Sequence, residues 1–336
     1  MPTLLRRKSA RKRKTDMEAR HDSVLMREVL ETLDVQPSDT VVDATLGGAG
    51  HFAALLSMLG EDGTIIGIDA DAAAVERARS AYAADRRPHR PVAHLINDNF
   101  RNLSRILERL GIVSADKMLF DLGWSGYQIA APRGFSFQRE DDPLLMNYDE
   151  NGEAAADIVN SSSEEELARI IFTYGEERFS RGIARAIVAA RSRERILTTG
   201  ALAAAVLAGT PAWYHKQKTN PATKTFQALR IAVNDELASL REGLGASLKV
   251  LTASGRLAVI SFHSIEDRIV KNVFRDAVHA GLGSLSPKKP IVPSREEILA
   301  NHRARSAKLR VFERNASTMS VDIAGAEMSP ARFSYV

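Results

Sequence analysis

Residues 40–71 read TVVDATLGGAGHFAALLSMLGEDGTIIGIDAD, and this stretch decides the fold. Val41 and Val42 close a first strand, with Asp43 at its carboxyl end. Gly47, Gly48 and Gly50 make a loop in which backbone approaches a ligand more closely than side chains would allow. Residues 51–58 are apolar at helical spacing, and glycines at 60 and 63 end that helix. Residues 64–68 form a continuous apolar strand tipped by Asp69. This is a βαβ nucleotide-binding pattern with an acid placed for ribose hydroxyls.

Dehydrogenases and methyltransferases both use such loops. Two details favour S-adenosylmethionine (SAM) over a dinucleotide. Asp43 precedes the loop, where it suits the amino group, or a water, of a methionine moiety and repels a pyrophosphate. The loop also reads Gly-Gly-Ala-Gly-His, without the third glycine of the strict dinucleotide fingerprint. A NAD-binding oxidoreductase and a ligand-free turn are the competing readings.

The chain has 336 residues, 44% of them hydrophobic, which allows one large α/β domain with an insertion, or two domains. No apolar run approaches the roughly 20 residues of a membrane-spanning helix, and no apolar segment follows the basic N-terminus as in a signal peptide. The absence of cysteine excludes disulfides, thiolate zinc sites and cysteine nucleophiles. A cytoplasmic protein is expected. Residues 1–14 carry seven Lys/Arg and no acid, so without them the formal charge of +4 becomes −3. Residues 1–20 read as a disordered basic tail, either solvated or in loose contact with phosphates. A mitochondrial presequence fits less well, for want of an amphipathic apolar pattern.

Outward from the glycine loop, residues 21–33 read as an amphipathic helix, 72–84 as a helix and 92–96 as a third strand. Residues 97–100, Asn-Asp-Asn-Phe, end that strand. There Asp98 and Phe100 are either partners for an adenine or parts of an ordinary Asx turn. A helix over 103–110 leads to a fourth strand, 117–122, which runs into D-L-G-W-S-G at 121–126. In open parallel sheets ligands gather outside the carboxyl ends of strands. Asp43, Asp69, Asp98 and Asp121 are therefore expected to converge, the strongest sign of a site.

From 127 to 222 the sheet pattern stops, and this segment reads as an inserted, mainly helical substrate domain. Helices are expected over 163–174, with Ser163 as N-cap, and over 176–193. In the second, Phe179, Ile183 and Ile187 point inward. Arg178, Arg181 and Arg185 share another face, either solvated or suited to an RNA backbone. Residues 213–218 form a basic and aromatic loop also suited to nucleic acid. The core then resumes with a long helix over 225–251, a strand over 256–262, a helix over 265–274, a loop over 281–293 and a last strand over 307–313. Residues 315–336 are a tail without clear pattern.

With these pieces in place the chain resembles the RsmH/MraW family over roughly residues 21–314. The likeness rests on D-A-T-L-G-G-A-G-H at 43–51, F-D-L-G-W-S at 120–125, R-G-F-S-F at 133–137 and Y-G-E-E-R-F-S-R-G-I-A-R-A-I-V at 174–188. It continues with P-A-T-K-T-F-Q-A-L-R-I-A-V-N-D-E-L at 221–237, I-S-F-H-S-I-E-D-R-I-V-K at 260–271 and A-R-S-A-K-L-R at 304–310. The resemblance implies a class I SAM-dependent methyltransferase, Rossmann-like with a mostly parallel sheet and an inserted helical domain. Its core would be 21–126 with 223–314. It implies methylation of the N4 amine of a cytidine in 16S rRNA near the decoding centre, with rRNA or the 30S subunit as partner. A second copy of the chain is a further expected partner; a metal or a membrane is not. The SAM contacts it implies fall on Ala49, Gly50, His51, Asp69, Phe100, Asp121 and Gln128, beside Asp43 and Gly47 of the loop itself. Candidate RNA contacts are Arg178, Arg181, Arg185, Lys224 and His263.

Departures lie mostly on the substrate side. The family's Val-Ser-Ser-Pro-Gln is Trp124-Ser125-Gly126-Tyr127-Gln128 here, and its Pro-Leu-Asp-Met-Arg is Pro143-Leu144-Leu145-Met146-Asn147. A family histidine is Asn220, and an Asn-Pro-Arg is Asn301-His302-Arg303. For catalysis, Asp121 and the Leu122 carbonyl are the expected acceptors for amino hydrogens. Trp124 either stacks on the base or packs against the insertion, and His263 either relays a proton or caps the strand. Two other functions stay open: a same-fold methyltransferase acting on another RNA or DNA amine, and a SAM-binding ribosome-assembly factor without catalysis.

Overall fold

A computed structural model describes residues 23–124, 126–148 and 152–316. The expected N-terminal tail and residues 317–336 lie outside them, as does Ser125. Among the described residues seven strands form one sheet: β1 (Thr40–Asp43), β2 (Thr64–Asp69), β3 (Val92–Asn97), β4 (Ala115–Asp121), β5 (Leu251–Ser261), β6 (Gly283–Leu285) and β7 (Lys308–Arg314). Their order is β3-β2-β1-β4-β5-β7-β6. The first five are parallel, and β7 is antiparallel to both β5 and β6. The helices are α1 (Met26–Leu33), α2 (Gly50–Met58), α3 (Ala72–Ala84), α4 (Leu103–Leu110), α5 (Gly126–Ala130), α6 (Ala155–Ser161) and α7 (Glu164–Gly175). They continue with α8 (Ser180–Arg191), α9 (Thr199–Ala208), α10 (Ala222–Asn234), α11 (Glu236–Val250), α12 (Ser264–His279) and α13 (Arg295–Ala300).

The apolar strands are buried on both faces, which is why they read as continuous runs rather than alternations. Val41, Ile65 and Leu119 face one layer with α1, α2 and α3, through Val29, Phe52 and Val75. Val42, Ile66 and Phe120 face the other with α4, α11 and α12, through Leu107, Leu240 and Phe274. A separate hydrophobic cluster gathers residues between β4 and β5, among them Phe135, Ile171, Ile187 and Val206. Phe226 and Leu229 of α10 belong to that cluster, although the sequence places them in the core segment 223–314.

Three local expectations change. The long helix over 225–251 is broken at Asp235, which adopts φ 46. Asn234 holds the break, donating to the Met146 carbonyl at 2.8 Å and accepting from the Tyr148 N–H at 2.8 Å. The fifth strand starts at Leu251, because its polar, small first half pairs across a register shift opposite Ala115 and Lys117. Within the expected loop over 281–293, residues Gly283–Leu285 pair with β7, a strand too short for periodicity to reveal.

Candidate active site

The site lies at the carboxyl ends of the parallel strands, where strand order reverses between β1 and β4. After β1, Gly47 takes φ 48. Its N–H donates to Asp69 Oδ2 at 2.9 Å, and its carbonyl accepts from Arg77 Nε at 2.9 Å. Ala49 takes φ 63 as the N-cap residue of α2. At Gly50 a Cβ would strike Ser23 Oγ, so the loop lies close under the segment before α1.

The cavity above this loop encloses about 1140 Å³ of empty space, its open mouth included. Gly47, Gly48, Gly50, Asp69, Phe100, Asp121, Trp124 and Gln128 are among its lining, with Ser23 and Val24 as part of its roof. Asp69 also accepts from the Asp71 N–H at 2.8 Å, so two backbone donors fix its carboxylate. Burial nevertheless pushes it up to about 6. Phe100 packs edge-on against Phe120 with centroids 5.3 Å apart. Gln128 donates to Asp71 Oδ2 at 3.3 Å.

His51 and Asp121 belong to this lining. His51 Nδ1 lies 3.3 Å from Asp121 Oδ2, and Nε2 lies 3.1 Å from the Val24 carbonyl. Both neighbours only accept, so an imidazolium with two donors satisfies both. Burial pulls His51 down, but the hydrogen bond and charge of Asp121 and the charge of Asp43 leave it raised. Burial pushes Asp43 up to about 7 against the pull of His51 and of the Thr45 N–H. The Asp121 N–H donates to Thr45 Oγ1 at 2.6 Å, while its buried Oδ1 has no hydrogen-bond partner among the described residues.

Of the four strand-tip acids, Asp69 and Asp121 line the cavity. Asp43 is fully buried and is not part of that lining; its Oδ1 accepts from the Thr45 N–H at 3.2 Å. Asp98 turns away: Oδ1 accepts from Asn99 N–H at 2.8 Å and Asn102 Nδ2 at 2.7 Å, and Oδ2 lies 3.4 and 3.5 Å from Arg105 and Arg109. The Asx turn here is that of Asn99, whose Oδ1 accepts from the Arg101 N–H at 2.9 Å, whereas Phe100 reaches the cavity.

At the opposite end, Trp124 has its ring 4.5 Å from the Arg230 guanidinium and 6.3 Å from the Phe135 centroid. Its buried Nε1 has no acceptor among the described residues. Arg230 is buried and lies 2.8 Å from Glu236, which also accepts from Tyr148 Oη at 3.0 Å. Burial raises Glu236 even against Arg230 and raises Tyr148 in the same direction. His263 caps α12, its Nδ1 accepting from the Glu266 N–H at 3.3 Å. Glu266 lines the cavity, held below its ordinary value because His263 and Arg230 outweigh the upward push of burial.

Sequence reasoning missed Thr45, Tyr148, Arg230, Glu236, Glu266 and Arg303. One signal was present: Arg230 stands four residues after buried Phe226, a charge on an otherwise apolar helical face. The three arginines do not share one face, because Arg178 precedes α8. Arg181 is exposed, Arg185 lies 3.5 Å from Glu164, and Lys224 donates to the Glu176 carbonyl at 2.9 Å.

The arrangement fits SAM: a glycine cradle, a fixed carboxylate, an aromatic ring and an orphaned acceptor share one cavity. Residues 18–315 match the MraW methylase family. The chain is 42% identical over 317 residues to "Ribosomal RNA small subunit methyltransferase H" of Brevibacillus brevis, covering 89% of this chain and 99% of that protein. It is 48% identical over 300 residues to a protein of the same name from Deinococcus deserti, covering 88% and 93%. Among solved structures, an rRNA methylase from Streptococcus thermophilus aligns with a TM-score of 0.38 at 12% identity, over 87% of this chain and 92% of that one.

Proposed function

The chain belongs to the MraW methylase family, and from that premise we propose that it transfers the methyl group of SAM to the N4 amine of a cytidine in 16S rRNA, near the decoding centre. The observation that carries this reading is the turn after β4. It sets the unpartnered Asp121 Oδ1 and the Trp124 ring on the wall of the cavity that also holds the glycine loop and Asp69.

SAM, when bound, supplies an electrophilic methyl group. The remaining work falls to the chain. Asp69 takes the ribose hydroxyls, Phe100 packs on the adenine, and the loop from Gly47 to His51 holds the methionine end with Gln128. The cytosine amine is a poor nucleophile because its lone pair is delocalised into the ring, so its placement in line with the methyl group matters most. Asp121 Oδ1 and the Leu122 carbonyl accept the amino hydrogens, which localises the lone pair and leaves an acceptor for the proton late in transfer. Trp124 stacks on the base, steadied by Arg230. Residues 127–222 present the RNA, and the enzyme works in the cytoplasm on the small subunit.

Incubation with methyl-labelled SAM and unmethylated small subunits, followed by digestion to nucleosides, tests the reading. Label in N4-methylcytidine at one position is the expected result. Label in another nucleoside, or none with SAM bound, would overturn it.

A further inference from the structure

A second groove, with about 670 Å³ of empty space when its open mouth is included, opens between Arg178, Tyr214, Gln217, Thr219, Asn220 and Lys224. Its organising group is the Arg178 guanidinium, which lies 4.8 Å from the Phe179 ring, 4.9 Å from Trp213 and 5.6 Å from Tyr214. The three rings pack edge to face, with centroids 4.9 to 5.8 Å apart. Their base is rigid: buried Glu177 accepts from Tyr214 Oη at 2.6 Å and from the Phe179 N–H at 2.9 Å. Trp213, by contrast, is 53% exposed, so much of its surface is left for a ligand.

Among the described residues no carboxylate forms an ion pair with Arg178. Ring contacts fix its position but use none of its in-plane N–H donors, the arrangement by which arginine grips phosphate while stacked. Lys224 stands on the same groove, and the loop behind it adds Lys216 and Lys218. The nearby acids are committed elsewhere. Glu177 holds Tyr214, and the Glu176 carboxylate accepts from Ser264 Oγ at 2.6 Å and Arg268 Nη2 at 2.8 Å. The same Glu176 joins the two sites: its carbonyl holds Lys224, while Ser264 opens the helix whose Glu266 lines the first cavity.

We propose that this groove is a second RNA-binding site, which takes a single-stranded nucleotide flanking the methylated one. Its phosphate pairs with Arg178 and Lys224, and its base stacks on Trp213. An exposed ring beside an unpaired, stacked arginine suits a splayed base, whereas a duplex would offer only backbone. The proposal rests on the RNA methyltransferase reading above.

The test is fluorescence polarisation of the full chain with a fluorescein-labelled single-stranded oligoribonucleotide, with a duplex of the same sequence as competitor. Arg178→Ala and Trp213→Ala should each weaken single-strand binding about tenfold. Arg178→Ala should also flatten the salt dependence by roughly one ion, which Trp213→Ala should not. Thermal melting and SAM titration, unchanged in both variants, show that they fold. Wild-type affinity in both folded variants overturns the proposal, as does a duplex that competes as well as the single strand. Failure of methyl transfer with RNA binding intact would instead strike the catalytic reading alone.

Discussion

His51 and Asp121 face each other at 3.3 Å, and the other ring nitrogen of His51 points at the Val24 carbonyl. His51 is thus held, away from solvent, between the Asp121 carboxylate and the Val24 carbonyl, and the charges of Asp121 and Asp43 raise it against burial. His51→Leu would leave the half-buried Asp121 carboxylate without its partner. The expected cost is about 3–5 kcal/mol in urea unfolding at neutral pH, the range for breaking a buried pair from one side. A loss below about 1 kcal/mol would show that His51 is neutral in the folded protein.

Stability should fall as pH rises through neutrality. Asp43 titrates at about 7 in the folded chain against an ordinary 3.8, so the folded state keeps a proton that the unfolded chain releases. That contribution is full near pH 4 and is lost as pH climbs to about 7. His51, also raised, contributes below its unfolded value and loses that contribution as pH passes its folded one. The urea midpoint should therefore decline from acidic to alkaline pH, and Asp43→Asn should flatten the portion below about 7. Parallel profiles for the two proteins would refute the assignment.

Asp69 should make SAM binding pH-dependent. Its carboxylate must be ionised to accept from both ribose hydroxyls, and burial places its titration at about 6. The Kd for SAM should rise as pH drops below that value. Asp69→Asn should weaken binding about 10- to 100-fold and abolish the pH dependence, as calorimetry at several pH values would reveal.

Trp124→Ala should slow methyl transfer to small subunits at least about tenfold while SAM binding holds, because the base loses its stacking surface. Transfer at the wild-type rate would leave Trp124 a packing residue against Phe135 and Arg230.

Arg230→Met should destabilise the chain by about 3 kcal/mol, since Glu236 would stay buried without its cation. Glu236→Gln in the same chain should recover much of that loss, a coupling that a double-mutant cycle measures. Additive losses would mean that the 2.8 Å contact carries no energy.

What could be read from the chain divides along physical lines. The glycine loop, the apolar parallel strands and the acids at their tips are local patterns, and the fold follows from them. Asp98 shows the limit: an acid at a strand end has two outlets, a ligand or its own turn, and here Asn99 and Asn102 take it. Asp235 breaks a helix that is periodic on both sides, because Asn234 is held by Met146 and Tyr148 from a distant segment. Arg230, Glu236 and Tyr148 meet only once the segment between β4 and α10 packs against α10 and α11, so no spacing announces them. Arg178 has a helical periodicity that the structure sets aside, since the helix begins two residues later.

The segment over the glycine loop has one more partner. Leu25, in the left-handed region at φ 55, donates its N–H to Glu297 Oε1 at 2.7 Å across 272 residues of chain. Arg303, close by in sequence, lines the same cavity. The loop that cradles the cofactor is therefore synthesised well before Glu297, the residue that ties down its cover. A chain stalled before Glu297 would carry every glycine and aspartate of the pocket and still lack a finished one. During its own synthesis the enzyme stays without a complete cofactor site until Glu297 has been added.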